Sequence, residues 1–313
     1  MSELVQLHTS VVAPEEIDSL GHVNVRHYIG RMAAANTLLL QRVGITASPG
    51  ETLRRVDTYS RFHREQFANA TLDTAGGLIE GEGVDRSRSV AAYFEIRNRA
   101  NGELAATFIT MTQCLDYASQ RARDLPVEGP GPSTTVMIPR HGVPRSLRLK
   151  PPAEVTLDEI TPFIRDDATG MMSGRREGVV APEHCDARGR LREDVELMFV
   201  VHRPRDGGDV PVMGPPVLRD ETGRRFSWAM METRSVVRSL PKAGDQLVSL
   251  GADVAVGDKW RQSRRWTFDR HTGVLLGMND TLGLCIDLDA RIAITIPASV
   301  RAEIERNCLP QFA

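Results

Sequence analysis

The sequence predicts an α+β fold made of two tandem domains, each an antiparallel sheet wrapped around one long helix. Three features predict it: an internal repeat, a helical hydrophobic pattern early in the chain, and a run of strand patterns after it. A helix followed by a meander of strands leaves one face or edge of the sheet uncovered. Two copies in one chain would cover each other.

The repeat is clearest near the start of each half. Residues 11–24 read VVAPEEIDSLGHVN and residues 179–192 read VVAPEHCDARGRLR, so seven of fourteen positions are identical at an offset of 168. At an offset of 171, QCLD at 113–116 aligns with LCID at 284–287, and Asn101-Gly102 aligns with Thr272-Gly273. We therefore predict domains at 1–130 and 153–313. Seven prolines between positions 126 and 152 predict an extended linker at 131–152.

The secondary structure follows the same order in both halves. A helix begins near Val25, Gly44 lies where a C′ glycine would end it, and its apolar face recurs at steps of three and four residues: Val25, Ile29, Met32, Asn36, Leu39 and Val43. Alternating patterns then predict strands at 78–84, 89–97 and 103–115 in the first half, and at 247–256, 261–269 and 274–286 in the second. Asn101-Gly102 is a hairpin signal.

Composition narrows the class of protein. The chain has 313 residues, 41% hydrophobic and 26% charged, which is typical of globular proteins and long enough for two cores. A net charge of -2 gives no bulk attraction to nucleic acid or an anionic membrane, so we expect neither partner. No signal-peptide pattern or long apolar run is present, and the cysteines form no CxxC pair: Cys114, Cys185, Cys285 and Cys308. We expect a cytoplasmic protein without a metal site.

The stretch from Asp18 to Asn24 contains the residues best suited to chemistry. An aspartate three residues before Gly21 is typical of a β-turn, and Asn24 is a good N-cap for the helix. The second copy keeps both turn residues, as Asp186 and Gly189, but has arginine in place of His22 and Asn24. The turn therefore does not require His22 or Asn24, and these two residues need a functional explanation.

A carboxylate beside a helix N-terminus is a minimal site for acyl transfer. The unpaired N–H groups of the helix start can hold the oxygen of a polarised carbonyl. The carboxylate can then attack that carbonyl, or take a proton from an attacking water. Such a site requires neither a serine nor a metal.

Asp-x-x-Gly-His-Val-Asn, followed by Tyr28 and a long helix, resembles the motif of the hotdog-fold acyl-thioester hydrolases of the 4-hydroxybenzoyl-CoA thioesterase type. The strand pattern from Arg64-Glu65 through NGELAAT is also similar to that family. The resemblance covers most of both halves, but the motif is intact only in the first. It implies a double hotdog that hydrolyses an acyl-CoA or acyl-carrier-protein thioester, uses no cofactor and forms a homo-oligomer.

The resemblance also implies a role for each motif residue. Asp18 would be the nucleophile or general base. Gly21 and His22 would form the turn at the helix start, with the N–H groups near His22 and Val23 polarising the thioester carbonyl. Asn24 would cap the helix and orient the carboxylate or a water.

Other residues would complete the substrate site. Tyr28 would pack near the acyl pocket. His63 and Glu65, ahead of the strand meander, would support the site from the partner unit, although such a pair is also typical of a solvated strand edge. Because hotdog sites lie between paired units, the second half would contribute a wall of the pocket.

The second copy of the motif is interpreted as a degenerate site formed by Asp186, Gly189 and Arg190. An adjacent cation would keep Asp186 ionised and paired. Alternatively, Arg190 and Arg192 would meet the phosphates of a CoA carrier, because guanidinium suits phosphate geometry.

Two other functions stay open on the same fold. One is a hydratase or dehydratase acting on acyl thioesters, for which the Asp18–His22 pair leaves room. The other is a non-catalytic protein that binds an acyl thioester, because the second copy has already lost the histidine and asparagine.

Overall fold

The computed structural model describes residues 3–79, 87–126, 135–147, 154–165, 173–201 and 216–313. The chain divides into two compact units, the N-terminal unit Met1–Arg145 and the C-terminal unit Ser146–Ala313. Of the predicted linker at 131–152, only residues 135–147 are described, and the rest lies outside the described residues. No helix in these ranges is long and apolar enough to span a bilayer.

The N-terminal unit contains one long helix and an antiparallel sheet. Its elements are β1 (Val5–Val11), α1 (Val25–Arg42), β2 (Glu51–Phe62), β3 (Thr71–Ile79), β4 (Ser89–Asn98), β5 (Leu104–Asp116), β6 (Ala122–Arg123) and β7 (Thr135–Val136). The main strands lie in the order β1-β3-β4-β5-β2. Short β7 pairs in parallel with β3, so this part of the predicted linker is a strand of the sheet.

Helix α1 begins and ends as the sequence predicts. Asn24 is the N-cap, and its side chain accepts a hydrogen bond from the Arg26 N–H. At the other end Gly44 has φ +74°, its N–H donates to the Gln41 carbonyl, and the Ile45 N–H donates to the Leu40 carbonyl. This is a Schellman motif, in which the left-handed residue favours glycine.

One face of the sheet in the N-terminal unit is turned toward α1. Asn36, buried on the helix, bonds to Thr112 and Thr110 of β5. Because side chains alternate along a strand, Phe108 points the same way, and so does Phe94, its direct partner on β4. Both phenylalanine side chains are fully buried, so this face is largely apolar.

The C-terminal unit repeats the sheet with a different helix content. Its elements are α2 (Leu157–Ile160), β8 (Gly174–Val179), α3 (Leu197–Val200), β9 (Leu218–Arg219), β10 (Arg225–Val237), β11 (Gln246–Val256), β12 (Trp260–Asp269), β13 (Leu275–Asp287), β14 (Ile292–Ala293) and α4 (Ala298–Asn307). The main strands run β10-β13-β12-β11-β8, all antiparallel. The helix after the repeated motif, α3, has four residues, so the long helix expected here is not present in the described part of this unit.

The strand predictions differ in accuracy. Those at 89–97 and 103–115 match β4 and β5, and those at 247–256, 261–269 and 274–286 match β11, β12 and β13. The strand predicted at 78–84 is wrong at its start, because β3 begins at Thr71, and residues 80–84 lie outside the described residues. The strands β1, β2, β8 and β10 were not predicted.

Candidate functional site

The repeated motif forms the same turn in both units. In the N-terminal copy the Gly21 N–H donates to the Asp18 carbonyl, and Asp18 Oδ1 accepts from the Leu20 N–H at 2.9 Å. In the C-terminal copy the Gly189 N–H donates to the Asp186 carbonyl in the same way. The two glycines have φ of +83° and +86°, a region that other residues rarely adopt. This confirms that the aspartate and the glycine build the turn.

The equivalence extends to the aspartate side chains. Asp186 Oδ1 accepts from the Arg188 N–H at 2.9 Å, the position that Leu20 occupies beside Asp18. One oxygen of Asp18 therefore has a local structural role. Its other oxygen, Oδ2, accepts from Asn24 Nδ2 at 3.3 Å, and the second copy has Arg192 in place of this asparagine.

His22 lies between two carboxylates. Its Nδ1 is 3.3 Å from the Val23 carbonyl oxygen and 3.7 Å from Asp18 Oδ1, and its Nε2 is 3.5 Å from Glu65 Oε1. We call these three side chains the Asp18–His22–Glu65 row. They are 3%, 16% and 40% exposed, so the acid at one end is buried and the acid at the other end is accessible. Glu65 reaches His22 from the segment that follows β2.

The Glu65 contact could not be placed from sequence, because it joins residues 43 positions apart. The sequence indicates only that Glu65 lies near the end of a strand. That signal does not say which side chain a residue meets.

The backbone donors differ from the prediction at one position. The Val23 N–H donates to the Gln66 carbonyl at 2.8 Å, so it is not available to a thioester oxygen. The His22 N–H donates to no acceptor within the described ranges. His22, rather than Val23, therefore offers the backbone donor beside the helix start.

Tyr28 lies one turn into α1, on its buried side. Its ring is 6.0 Å from that of Phe62 at the end of β2, and burial raises its pKa. Tyr28 is 3% exposed and belongs to the core that carries the site.

His63 belongs to a different cluster from Glu65. Its Nε2 lies 3.1 Å from Thr107 Oγ1, and its ring meets the ring of His141 edge-on at 6.4 Å. His141 bonds in turn to the buried Glu95 at 2.5 Å, and Tyr93 donates to the same carboxylate. Burial lowers the pKa of His63 to about 4, with the nearby cation Arg61 acting in the same direction. His63 therefore contacts Thr107, whose side chain lies on the face of the sheet opposite the one that α1 covers.

The second copy surrounds its aspartate differently. The Arg190 side chain donates to the Leu240 carbonyl at 2.8 Å, and Arg192 pairs with Asp194 at 2.9 Å. Helix α3 begins only at Leu197, so no helix start follows directly on this turn. Arg190 therefore contacts a segment 50 positions along the chain, whereas Arg192 pairs with a residue two positions away.

Comparison with known proteins finds similarity to thioesterases. Residues 12–138 match the model of the Thioesterase-like superfamily. No curated protein matches the sequence. Among solved structures, a putative oleoyl thioesterase from Lactobacillus plantarum is 11% identical with a TM-score of 0.59, covering 90% of this chain and 96% of that one.

Two further structures are similar over almost the whole chain. The 12:0-ACP thioesterase from Umbellularia californica is 10% identical with a TM-score of 0.57, covering 89% of this chain and 93% of that one. An acyl-ACP thioesterase from Bacteroides thetaiotaomicron is 7% identical with a TM-score of 0.54, covering 88% and 96%. At these identities the likeness concerns the fold. The match to the Thioesterase-like superfamily covers residues 12–138, which lie in the N-terminal unit, so this segment is similar to that family.

Proposed function

We propose that the protein hydrolyses an acyl thioester to a free acid and a thiol, and that the reaction takes place at the Asp18 turn of the N-terminal unit. The observation that carries the proposal is His22, held between the carboxylates of Asp18 and Glu65 at the capped start of α1. The C-terminal copy of the turn has neither the histidine nor the asparagine.

The proposed reaction uses water as the nucleophile. A carboxylate of the Asp18–His22–Glu65 row takes a proton from the water while its oxygen attacks the thioester carbonyl carbon. The carbonyl oxygen gains negative charge and accepts from the His22 N–H at the electropositive start of α1. The tetrahedral intermediate then expels the thiolate, which takes up the proton, so that water and thioester become acid and thiol.

Burial favours general-base work over direct attack for Asp18. A nucleophilic carboxylate would need an oxygen in contact with the carbonyl carbon. The Asp18 side chain is 3% exposed, and its two oxygens already accept from Leu20 and Asn24. A proton passed along the row through His22 requires no such exposure, and Glu65 is the accessible end of the row.

The substrate class and the assembly belong to the same proposal. Solved relatives of this fold are named for oleoyl or acyl-ACP substrates, which supports an acyl-CoA or acyl-carrier-protein thioester here. We propose that the two units are tandem hotdog domains, the first with an intact motif and the second with a degenerate one, and that the chain forms a homo-oligomer.

The test is thiol release from a panel of acyl-CoA and acyl-carrier-protein thioesters. The protein should release free thiol with at least one of them, and Asp18→Asn should lower that release by ~10²-fold or more. Loss of an enoyl-CoA without thiol release would favour a hydratase. Tight binding without turnover would favour a non-catalytic binder.

A further inference from the structure

At one pair of equivalent positions, the helix-facing side of the sheet carries apolar residues in one unit and polar residues in the other. In the N-terminal unit, the direct partners Phe94 on β4 and Phe108 on β5 fill this face. At the repeat offset of 171, their counterparts in the C-terminal unit are Arg265 on β12 and Asn279 on β13, which are also direct partners. Where the N-terminal unit has two buried aromatic rings, the C-terminal unit has a buried guanidinium and a buried amide.

Arg265 and Asn279 lie in a cluster of buried polar groups with unmet hydrogen bonds. We call it the Arg265 cluster, and it comprises Arg265, Asn279, Thr281 and Ser235. The four residues are 1%, 1%, 5% and 6% exposed. The register places Ser235 directly opposite Asn279, and Thr281 lies two residues along the same strand, so all four side chains point to one face.

Arg265 is the member of the cluster that most needs a partner, because its charged side chain is buried. Its Nη1 donates to Ser249 Oγ at 3.2 Å, while its Nε and Nη2 are buried without an acceptor among the described residues. No carboxylate of the described residues lies within ion-pair distance of it, and Arg176 acts on it as a second cation. Burial, followed by the charge of Arg176, lowers the pKa of Arg265 to about 9, so the guanidinium is still charged at neutral pH.

The neighbours of Arg265 leave further groups unmet. Within the part of the chain that the structure describes, neither Nδ2 nor Oδ1 of Asn279 has a partner, and the hydroxyls of Thr281 and Ser235 are also without one. Asp253, an acid of β11, is already engaged by Ser263 and Arg261. An unpaired buried charge surrounded by unsatisfied polar groups is strongly destabilising, unless a ligand supplies the missing partners.

We propose that the Arg265 cluster binds a carboxylate anion within the C-terminal unit. Nε and Nη2 form one edge of the guanidinium fork, which matches the two oxygens of a planar carboxylate. Asn279 Nδ2 and the Thr281 hydroxyl supply neutral donors to the same oxygens, and Asn279 Oδ1 accepts from a water or a ligand hydroxyl. A phosphate would present more oxygens than the guanidinium fork and the two neutral donors can bind.

This site is independent of thioester hydrolysis, so binding is measured without any activity assay. The purified full chain is titrated with propionate, inorganic phosphate and chloride at constant ionic strength, by calorimetry and by thermal unfolding. Because the cluster is buried, binding requires a local opening, and samples are brought to equilibrium before each measurement. Propionate should bind once per chain and raise the unfolding temperature, as expected for a ligand of the folded state.

Three variants locate the site. Arg265→Met should weaken propionate binding by about 30-fold or more, because it removes the charged partner. Without ligand it should unfold at the same or a higher temperature, because an apolar side chain costs nothing to bury there. Arg265→Lys keeps the charge but loses the fork and should bind weakly. Arg270→Met removes an exposed cation of the same hairpin and should bind like the wild type.

Three results would overturn the proposal. One is the absence of saturable propionate binding to the wild type. Another is equal binding by Arg265→Met, or by Arg265→Lys if the methionine variant does not fold. The third is tighter binding of phosphate than of propionate, which would assign the cluster to a different anion.

Discussion

At the scale of single residues, His22 distinguishes the two copies of the motif. Both turns use the aspartate and the glycine to hold the backbone, but only the N-terminal turn places an imidazole between two carboxylates. The same residue also carries the N–H that the proposed oxyanion would use. The chemistry therefore depends on residues that the turn does not require.

Replacing His22 by glutamine should lower kcat for thioester hydrolysis by ~10²-fold, because proton transfer along the row is interrupted. His27→Gln is the matched control. That histidine lies five positions along the same helix start and bonds to Arg26 rather than to a carboxylate. Thiol release measured under saturating substrate should be within about threefold of the wild type for His27→Gln. Equal losses in both variants would remove His22 from the mechanism.

His63 gives a prediction about stability and pH. Its pKa is near 6.5 in an unfolded chain and about 4 in the folded protein. Between these values the unfolded state binds one more proton, so the free energy of unfolding falls as the pH drops from about 6.5 toward 4. His63→Gln should reduce this fall, as measured by urea unfolding at pH 7 and pH 5. An unchanged pH dependence would contradict the lowered pKa.

The sequence predicted the motif residues of the site but not their spatial partners. Asp18, Gly21 and Asn24 have local roles within seven positions, and local patterns identify them. The distance from His22 to Glu65, and the separation of Glu65 from His63, depend on how the end of β2 approaches the start of α1. Tertiary packing sets that approach.

At the scale of elements, helix α1 gives a matched pair of glycines. Gly30 lies within the helix with open space around an added Cβ, so Gly30→Ala should raise the free energy of unfolding by about 0.5–1 kcal/mol. Gly44 has φ +74° in the Schellman motif, so Gly44→Ala should lower it by about 1 kcal/mol. The midpoints of urea unfolding measure both. A shift of the same sign in both variants would contradict the assignment of the helix end.

The accuracy of the strand predictions reflects how each strand is buried. The hairpins β4–β5 and β12–β13 carry alternating patterns and a glycine turn at Gly102 or Gly273, which local reasoning detects. Strands β2 and β10 contain arginines and threonines that are buried in the fold, and their pattern does not alternate simply. Burial of such polar side chains is decided by neighbouring strands, so sequence alone did not identify these elements.

At the scale of the whole molecule, the two units share a repeated turn but differ in the residues around it. Both units keep the turn and the antiparallel sheet. The N-terminal unit keeps the residues proposed for hydrolysis and an apolar helix-facing surface. The C-terminal unit has exchanged both, with arginines in the turn and the Arg265 cluster on the sheet.

The most direct test compares the same substitution at the two equivalent turns. Asp18→Asn and Asp186→Asn each keep an oxygen that accepts the turn N–H, so both should fold, and each removes one negative charge. With a substrate that the wild type hydrolyses, kcat/KM should fall by ~10²-fold or more for Asp18→Asn and stay within about threefold for Asp186→Asn. Equal effects at the two turns, or a loss confined to Asp186→Asn, would contradict hydrolysis at the N-terminal turn.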